Sequence, residues 1–233
     1  MPRPTVLLFD IDGTLVTTGG VGRRALEVAF ERSHGRRDAC RSFRLDGMTD
    51  RAIVRAGLLA IGVEPGEDHI DRVLADYLDV LAQEVAAAPD ATYRVHAGMH
   101  QTLDEAGRRS GVAVGLGTGN IRAGARIKLE RVGLFARFGF GGFGCDAEDR
   151  TALIRRGAER GAAQLGAPVE ECRVVVIGDT PKDVAAARAI GGECVGVGTG
   201  RFSPEELRAC GARHAFSDLT APGARQAVLG EER

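Results

Sequence analysis

The stretch Thr5-Val-Leu-Leu-Phe-Asp-Ile-Asp-Gly-Thr14 decides the interpretation of the chain. Its first five residues are apolar or β-branched and a carboxylate follows at once, which is typical of a strand buried on both faces. Two later stretches repeat this layout: Val112-Ala-Val-Gly-Leu116 leads into Gly117-Thr-Gly-Asn120, and Arg173-Val-Val-Val-Ile177 leads into Gly178-Asp-Thr-Pro-Lys-Asp183. Strands that alternate with helical stretches predict an α/β fold with a doubly wound, Rossmann-like parallel sheet.

The region between the first strand and the rest of this pattern contains no convincing strand. Apolar residues recur there at helical spacing over 21–33, 50–61 and 68–88. About 80 residues far exceed an ordinary strand-to-helix crossover. We therefore predict an all-helical cap inserted over residues 17–92, and an α/β core formed by residues 1–16 and 93–233.

Composition narrows the class of protein. The 233 residues carry 31 Lys and Arg against 32 Asp and Glu, a net charge of −1, which gives no basic footprint for nucleic acid or an anionic membrane. No stretch has the layout of a signal peptide or the ~20 apolar residues of a membrane span. The five cysteines form no C-x-x-C pair. These features predict a reduced, cytoplasmic protein, as a monomer or a homodimer.

Carboxylates follow two of the three predicted strands. Because ligands bind beyond the carboxyl ends of parallel strands, we expect Asp10, Asp12, Asp179 and Asp183 to converge. Four carboxylates in one crevice repel each other and are costly to bury. Mg2+ removes that cost, since it favours one or two carboxylates together with phosphate and water. The sequence therefore predicts a magnesium site.

Hydroxyl and amide donors surround the same predicted edge. Thr118 and the backbone N–H groups near Gly119 and Asn120 can hold phosphate oxygens at a helix N-terminus. Gly13 and Thr14, in the turn after the first strand, are further candidates for phosphate contact. A metal and phosphate donors beside a carboxylate indicate phosphoryl transfer, for which an aspartate can form a covalent intermediate.

These motifs resemble the haloacid dehalogenase superfamily. The resemblance rests on D-x-D-G-T at residues 10–14, Thr118 after the second strand and G-D-x-x-x-D at residues 178–183. It implies that Asp10 is the nucleophile and a Mg2+ ligand. Asp12 would serve as general acid and then base, with its backbone carbonyl on Mg2+. Thr118 would bind the phosphoryl group, Asp179 would ligate Mg2+, and Asp183 would be a ligand or stand behind the ligands.

One element departs from the family pattern. The family places a lysine about thirty residues after the motif-two hydroxyl, and this neighbourhood has none. Arg150, 32 residues after Thr118, fits the position best, although arginine is not a neutral replacement for lysine. Pairing of Arg150 with Glu148 or Asp149 is the structural alternative. Lys128 is the second candidate for phosphate contact, and a solvated helix face is its structural alternative.

The branch of the family is indicated by the acid at position 12. Family dehalogenases lack it, and the inserted segment has no lysine for Schiff-base phosphonate chemistry. The stretch Leu45-Asp-Gly-Met-Thr-Asp50 resembles the cap of phosphoglycolate phosphatase-like members. There Thr49, Arg51 or Arg44 would meet the leaving group, unless Gly47 only serves a turn and Thr49 or Asp50 only caps the next helix.

We therefore predict Mg2+-dependent hydrolysis of a small phosphorylated metabolite, a phosphomonoester, through a phosphorylated aspartate. A sugar-phosphate mutase of the same fold and a phosphate-binding protein without catalysis remain alternatives. A dinucleotide-binding module is disfavoured. The glycine stretches at 115–119 and 196–200 both fail the G-x-G-x-x-G pattern at its last position.

Overall fold

A computed structural model describes residues 3–230. The chain begins with a strand, passes through three helices, and then alternates between strands and helices. In chain order the elements are β1 (Thr5–Phe9), β2 (Val16–Thr17), α1 (Val21–His34), α2 (Asp50–Ala60), α3 (Glu67–Ala87), β3 (Arg94–Val95), α4 (Met99–Arg108), β4 (Val112–Gly117), α5 (Arg122–Glu130), β5 (Phe140–Gly142), α6 (Arg150–Gln164), β6 (Arg173–Gly178), α7 (Pro181–Ala189), β7 (Glu193–Val197), α8 (Pro204–Ala209), β8 (His214–Phe216) and α9 (Ala224–Leu229).

Six strands form one sheet in the order β5-β4-β1-β6-β7-β8, and every neighbouring pair is parallel. This confirms the predicted α/β fold. Strand β1 lies in the middle of the sheet, between β4 and β6, and Phe9 at its end is level with Leu116 and Ile177. The three strands that carry the motifs are therefore adjacent and end at the same edge.

Successive side chains of β1 point to opposite faces of the sheet, and apolar residues cover both faces. Leu7 and Phe9 pack into an apolar cluster on one face of the sheet. Val6 and Leu8 pack into a second cluster on the opposite face, which includes residues of α6 and α7. A continuous apolar run is what such a two-sided position requires.

Helices α1, α2 and α3 form a helical insertion between β2 and β3. They surround an apolar cluster of their own, with Phe30, Leu58 and Tyr77 fully or almost fully buried. The short antiparallel pair β2–β3 forms its base. The sequence shows no strand in this region because two-residue strands are too short to leave a pattern. The predicted domain boundaries stay a prediction, and the separate apolar cluster agrees with them.

Two parts of the sheet differ from the sequence-based expectation. The sequence predicts a weak strand over 138–140, but the strand begins only at Phe140, and Gly141 and Gly142 continue it. Glycines are poor strand formers, but a Cβ on Gly142 would overlap the backbone of Leu153 in α6. For the C-terminal segment the sequence predicts a short helix from Pro204 and then a loose tail. The helix is present as α8, but β8 and α9 follow it, so the expectation of a loose tail is wrong.

Two further findings concern residues 3–230. All five cysteines are free thiols. None of the helices in this range combines the length and the apolar character needed to cross a membrane.

Candidate active site

A cavity of about 320 Å3 lies between the carboxyl edge of the sheet and the helical insertion. The sheet side contributes the ends of β1 and β6 and the loop after β4. The insertion contributes the start of α1, the loop before α2, and Tyr77 of α3. The polar residues that face this cavity from the sheet side include Asp10, Asp12, Asn120, Lys128, Arg150 and Asp179.

Three buried carboxylates meet at the floor of the cavity. One oxygen from each of Asp10, Asp179 and Asp183 lies within 4.8 Å of the other two. Burial raises the pKa of Asp10 to about 6, although Arg150 opposes the shift. Burial, and then the charges of Asp10 and Asp183, raise the pKa of Asp179 well above its ordinary value. Such crowding is unfavourable without a cation, and an all-oxygen donor set suits a hard divalent ion.

Glycines and hydroxyls of two turns enclose the Asp179 carboxylate. Thr14 Oγ1 donates to Asp179 Oδ1 over 3.0 Å. Gly13 has a φ of +81°, and a Cβ on Gly13 or on Gly200 would overlap Asp179. Thr199 Oγ1 donates to the carbonyl of Gly13 over 2.5 Å and so ties the two turns together. Thr14 and Gly13 thus shape the carboxylate cluster, which differs from the phosphate contacts expected of them.

Residues Thr199 and Gly200 were not identified from the sequence. The glycine stretch at 196–200 suggested only a dinucleotide-binding loop, and it does not match the G-x-G-x-x-G pattern. Thr199 and Gly200 could have been identified from their position directly after β7, at the same edge of the parallel sheet as the carboxylates.

Arg150 begins helix α6 and is buried against two carboxylates. Its Nη2 lies 3.1 Å from Asp10 Oδ2, and its Nε and Nη2 donate to Asp183 Oδ1 over 3.0 and 2.5 Å. Burial opposes its charge, but Asp183 and Asp10 outweigh that effect and raise the pKa of Arg150. The alternative pairing with Glu148 or Asp149 is wrong, because Asp149 caps α6 through Ala152 and Glu148 binds Arg55.

Both oxygens of the Asp183 carboxylate accept hydrogen bonds from other groups of the protein. Oδ1 accepts two hydrogen bonds from Arg150, and Oδ2 accepts from the N–H and the Oγ1 of Thr180 over 3.1 and 2.7 Å. A carboxylate offers about four acceptor positions. Asp183 is fully buried, and a Cβ on Gly178 would overlap it. The predicted metal role of Asp183 stays a prediction. Its contacts favour a residue that supports the groups predicted to bind the metal and does not bind the metal itself.

Lys128 is not on a solvated helix face, so that alternative is wrong. It is 3% exposed, and its Nζ donates to Asp12 Oδ2 over 2.6 Å and to Asn120 Oδ1 over 2.7 Å. Asn120 Nδ2 donates to the same oxygen of Asp12 over 2.9 Å. Partial burial opposes ionisation of Asp12, but Lys128 and Asn120 outweigh it and lower the pKa of Asp12. Asp12 is not part of the group of three close carboxylates, and its carboxylate is held by Lys128 and Asn120.

Thr118 lies beneath the cavity and is fully buried. Its Oγ1 accepts hydrogen bonds from the backbone N–H and from the Nδ2 of Asn120, over 3.2 and 3.0 Å. The hydroxyl proton of Thr118 has no acceptor within residues 3–230, and the predicted phosphate contact of Thr118 stays a prediction. The side chain and N–H of Asn120 are engaged by Thr118, Asp12 and Lys128, and they are not free for phosphate.

Comparison with known proteins decides the family. Residues 7–188 match the model of the haloacid dehalogenase-like hydrolases. The chain belongs to this family. A phosphoglycolate phosphatase from Rhodospirillum rubrum is 26% identical over 226 residues, which cover 94% of this chain and 90% of that protein.

Solved structures agree on the fold of this haloacid dehalogenase-like hydrolase. A hydrolase from Pseudomonas syringae superposes with a TM-score of 0.69 at 21% identity, over 92% of this chain and 94% of its own. CbbY from Rhodobacter sphaeroides, solved in complex with phosphate, has a TM-score of 0.70 at 17% identity, over 94% and 96%. The resemblance inferred from the motifs and the expectation of a hydrolase are confirmed.

The helical insertion of this haloacid dehalogenase-like hydrolase contacts the core through the start of α2. The backbone N–H of Asp50 donates to the carbonyl of Gly119, and Asp50 Oδ2 accepts from the N–H of Ile121, each over 2.8 Å. Thr49 is the N-cap of α2 and donates to the carbonyl of Glu148 over 3.1 Å. Thr49 does not line the cavity, so its contacts are those of a helix cap and of an interface.

The arginines expected to meet the leaving group are engaged elsewhere. Arg44 pairs with Asp46, and Arg51 pairs with Glu67 and Asp71 on α3. The cation that lines the cavity from the insertion is Arg23, in the first turn of α1. Within residues 3–230 Arg23 forms no hydrogen bond or salt bridge. Arg23 could not be singled out from the sequence, because one arginine among many on an amphipathic helix carries no distinguishing pattern.

Burial of Asp50 is expected to make the stability of this family member depend on pH. Burial raises the pKa of Asp50 from 3.8 to about 6. The folded protein therefore binds this proton more tightly than the unfolded chain, and the free energy of unfolding falls as pH rises through that window. Asp50→Asn removes this loss but keeps an oxygen for Ile121. We expect the stability of Asp50→Asn relative to wild type to rise by about 2.5 kcal/mol between about pH 4 and pH 7.

Urea unfolding at a series of pH values measures this difference. Asp90→Asn, at a side chain that is 97% exposed, is the matched control and should show no such trend. A stability difference between Asp50→Asn and wild type that does not change with pH would contradict the burial argument.

Proposed function

We propose that this chain is a Mg2+-dependent phosphatase that hydrolyses a small phosphomonoester through a phosphorylated Asp10. The observation that carries the proposal is the surroundings of Asp10. Its carboxylate belongs to a buried oxygen cluster, is paired with Arg150 at 3.1 Å, and lines the cavity beside Asp12. A nucleophile, a cation for phosphoryl oxygens and an acid–base group thus share one small space.

The residues present fit a magnesium ion. Asp10 and Asp179 offer carboxylate oxygens that are not saturated by protein donors, whereas Asp183 orients Arg150 and the Thr180 turn. Two carboxylates with a phosphate and water match the ligands that Mg2+ prefers. When bound, the ion neutralises the carboxylates and polarises the phosphoryl oxygens.

In the first half of the reaction, an oxygen of Asp10 forms a bond to phosphorus. The bond from phosphorus to the ester oxygen breaks, and its electron pair stays on that oxygen. Asp12 donates a proton to the oxygen, so the alcohol leaves neutral and Asp12 becomes a carboxylate. The monoanionic form of the phosphomonoester can supply that proton to Asp12. Arg150 and the free hydroxyl proton of Thr118 stabilise the charge on the phosphoryl oxygens.

In the second half, water attacks the phosphorus of phosphorylated Asp10. Asp12, now a carboxylate, accepts a proton from that water. The bond from phosphorus to the Asp10 oxygen breaks, and its electron pair restores the carboxylate. Inorganic phosphate is released, and the lowered pKa of Asp12 keeps it ready as a base.

The substrate class follows from the size and the charge of the cavity. A volume of about 320 Å3 suits a small leaving group, and Arg23 provides a cation at the insertion side. The Rhodospirillum rubrum relative is a phosphoglycolate phosphatase. We therefore propose a phosphomonoester whose leaving group carries a carboxylate, with phosphoglycolate as the first compound to test.

Arg23→Ala tests this assignment by comparing phosphoglycolate with ethyl phosphate, which lacks the carboxylate. A charge-assisted hydrogen bond is worth about 1.5–3 kcal/mol. We expect KM for phosphoglycolate to rise about 10- to 100-fold, with little change for ethyl phosphate. Arg32→Ala, in the last turn of the same helix, should leave both unchanged. Equal effects of Arg23→Ala on the two substrates would contradict the carboxylate contact.

Phosphate release from a panel of small phosphomonoesters, with Mg2+ and with a chelator, tests the proposed function itself. Mg2+-dependent release supports it, and the ranking of the panel identifies the preferred leaving group. Conversion of a sugar phosphate into an isomer, without free phosphate, would instead identify a mutase. Phosphate binding without turnover of any compound would identify a non-catalytic protein.

A further inference from the structure

Two buried cations contact different carboxylates of the site, and Asp179 is contacted by neither. Arg150 contacts Asp10 and Asp183, whereas Lys128 contacts Asp12 and Asn120. The family pattern provides for one such cation, and Arg150 fills that position. Lys128 therefore needs a separate explanation, since a buried ammonium persists only when it is paired.

The contacts of Lys128 fix one oxygen of Asp12. Lys128 Nζ and Asn120 Nδ2 both donate to Asp12 Oδ2, over 2.6 and 2.9 Å. Lys128 also holds Asn120 through Oδ1, over 2.7 Å, so the three side chains form a closed triangle. The side chain of Asp12 is nevertheless 42% exposed and faces the cavity.

The helical insertion completes the enclosure of Lys128. A Cβ on Gly22 of α1 would lie 3.4 Å from Lys128 Nζ and 3.8 Å from the hydroxyl of Tyr77. The start of α1 therefore packs close to the ammonium. Lys128 is almost fully buried as a result, and its charge is directed to Asp12.

We propose that Lys128 is a positioning residue that, together with Asn120, aims Asp12 at the oxygen of the leaving group. This inference rests on the proposed function. With Oδ2 held, Asp12 carries its proton on Oδ1. When that proton passes to the ester oxygen, Asp12 becomes a carboxylate, and the fixed ammonium stabilises the charge that forms.

The dependence on the leaving group separates this role from a structural one. An alkyl phosphate needs a proton on its departing oxygen, whereas p-nitrophenyl phosphate releases a stable phenolate without one. We expect Lys128→Met to lower kcat/KM for an alkyl phosphate by about 100-fold. We expect kcat/KM for p-nitrophenyl phosphate to change less than about threefold. Turnover of the second substrate also shows that the variant is folded.

Two further variants keep the inference testable. Arg126→Met removes a cation from the exposed face of the same helix, and both substrates should react as with wild type. Asn120→Ala removes the second donor to Asp12 and should show the same selectivity as Lys128→Met. If Lys128→Met does not fold, Asn120→Ala decides the question.

Three results would overturn the inference. An equal loss on both substrates assigns Lys128 to phosphate binding or to structure, and an unchanged kcat/KM on both assigns it no role. A wild-type enzyme that hydrolyses neither ester contradicts the proposed function, and the role of Lys128 fails with it. If wild type hydrolyses both esters and the variants lose kcat/KM equally on both, only the role of Lys128 is contradicted.

Discussion

Asp10→Asn is expected to lower Mg2+-dependent phosphate release by about 10,000-fold or more, because an amide cannot act as the nucleophile. The fold should survive, since the substitution keeps the size of the side chain and removes one of several crowded carboxylates. Burial already raises the pKa of Asp10 to about 6, so loss of its charge relieves an unfavourable environment. Steady-state phosphate release with thermal melting of the same samples measures both effects.

Two controls make the result on Asp10 interpretable. Asp104→Asn alters a surface carboxylate on α4 that pairs with Arg137, and it should retain wild-type activity. Asp10→Ala excludes slow reversion of asparagine to aspartate as a source of residual turnover. Activity of Asp10→Ala within about tenfold of wild type would contradict the assignment of the nucleophile.

Arg150→Ala is expected to lower kcat/KM by about 100- to 1,000-fold, because it removes a fixed cation beside the reacting phosphoryl group. It should also destabilise the protein by about 3–5 kcal/mol, since Asp10 and Asp183 then lose their buried partner. Mg2+ should recover part of this stability, because a bound cation can neutralise the same carboxylates. Urea unfolding with Mg2+ and with a chelator measures the recovery.

The comparison with Arg150→Lys tests the departure from the family pattern. Lysine keeps the charge but loses the fork that reaches Asp183 with two nitrogens. We expect Arg150→Lys to retain more activity than Arg150→Ala and less than wild type. Arg156→Ala, on the exposed face of α6, is the matched control. Wild-type kcat/KM in Arg150→Ala would show that Arg150 has only a structural role.

Much of the site could be predicted because the parallel sheet brings the motif strands together. β1 was predicted with the bounds that the structure has, since its apolar run ends sharply at a polar turn. Once β1 is flanked by β4 and β6, Asp10, Thr118 and Asp179 must lie at one edge. This convergence needs no knowledge of side-chain conformation.

The contacts between side chains could not be predicted in the same way. Lys128 follows Gly124 by four residues, a spacing that places both on one side of α5, and Asn120 lies just before that helix. That spacing was a usable signal, but a surface lysine is far more common than a buried one. The pairing of Arg150 with Asp183 joins residues 33 positions apart, and only the fold shows that it saturates the carboxylate.

Direct detection of the phosphorylated aspartate tests the central claim most directly. The enzyme is mixed with substrate and Mg2+, quenched in acid within the first turnover, digested, and mapped by mass spectrometry. The account predicts a phosphoryl group on the peptide that contains Asp10, and its absence from Asp10→Asn and from samples with a chelator. Rapid substrate turnover by wild type, with no phosphorylated peptide at any quench time and with phosphate still released by Asp10→Asn, would contradict it.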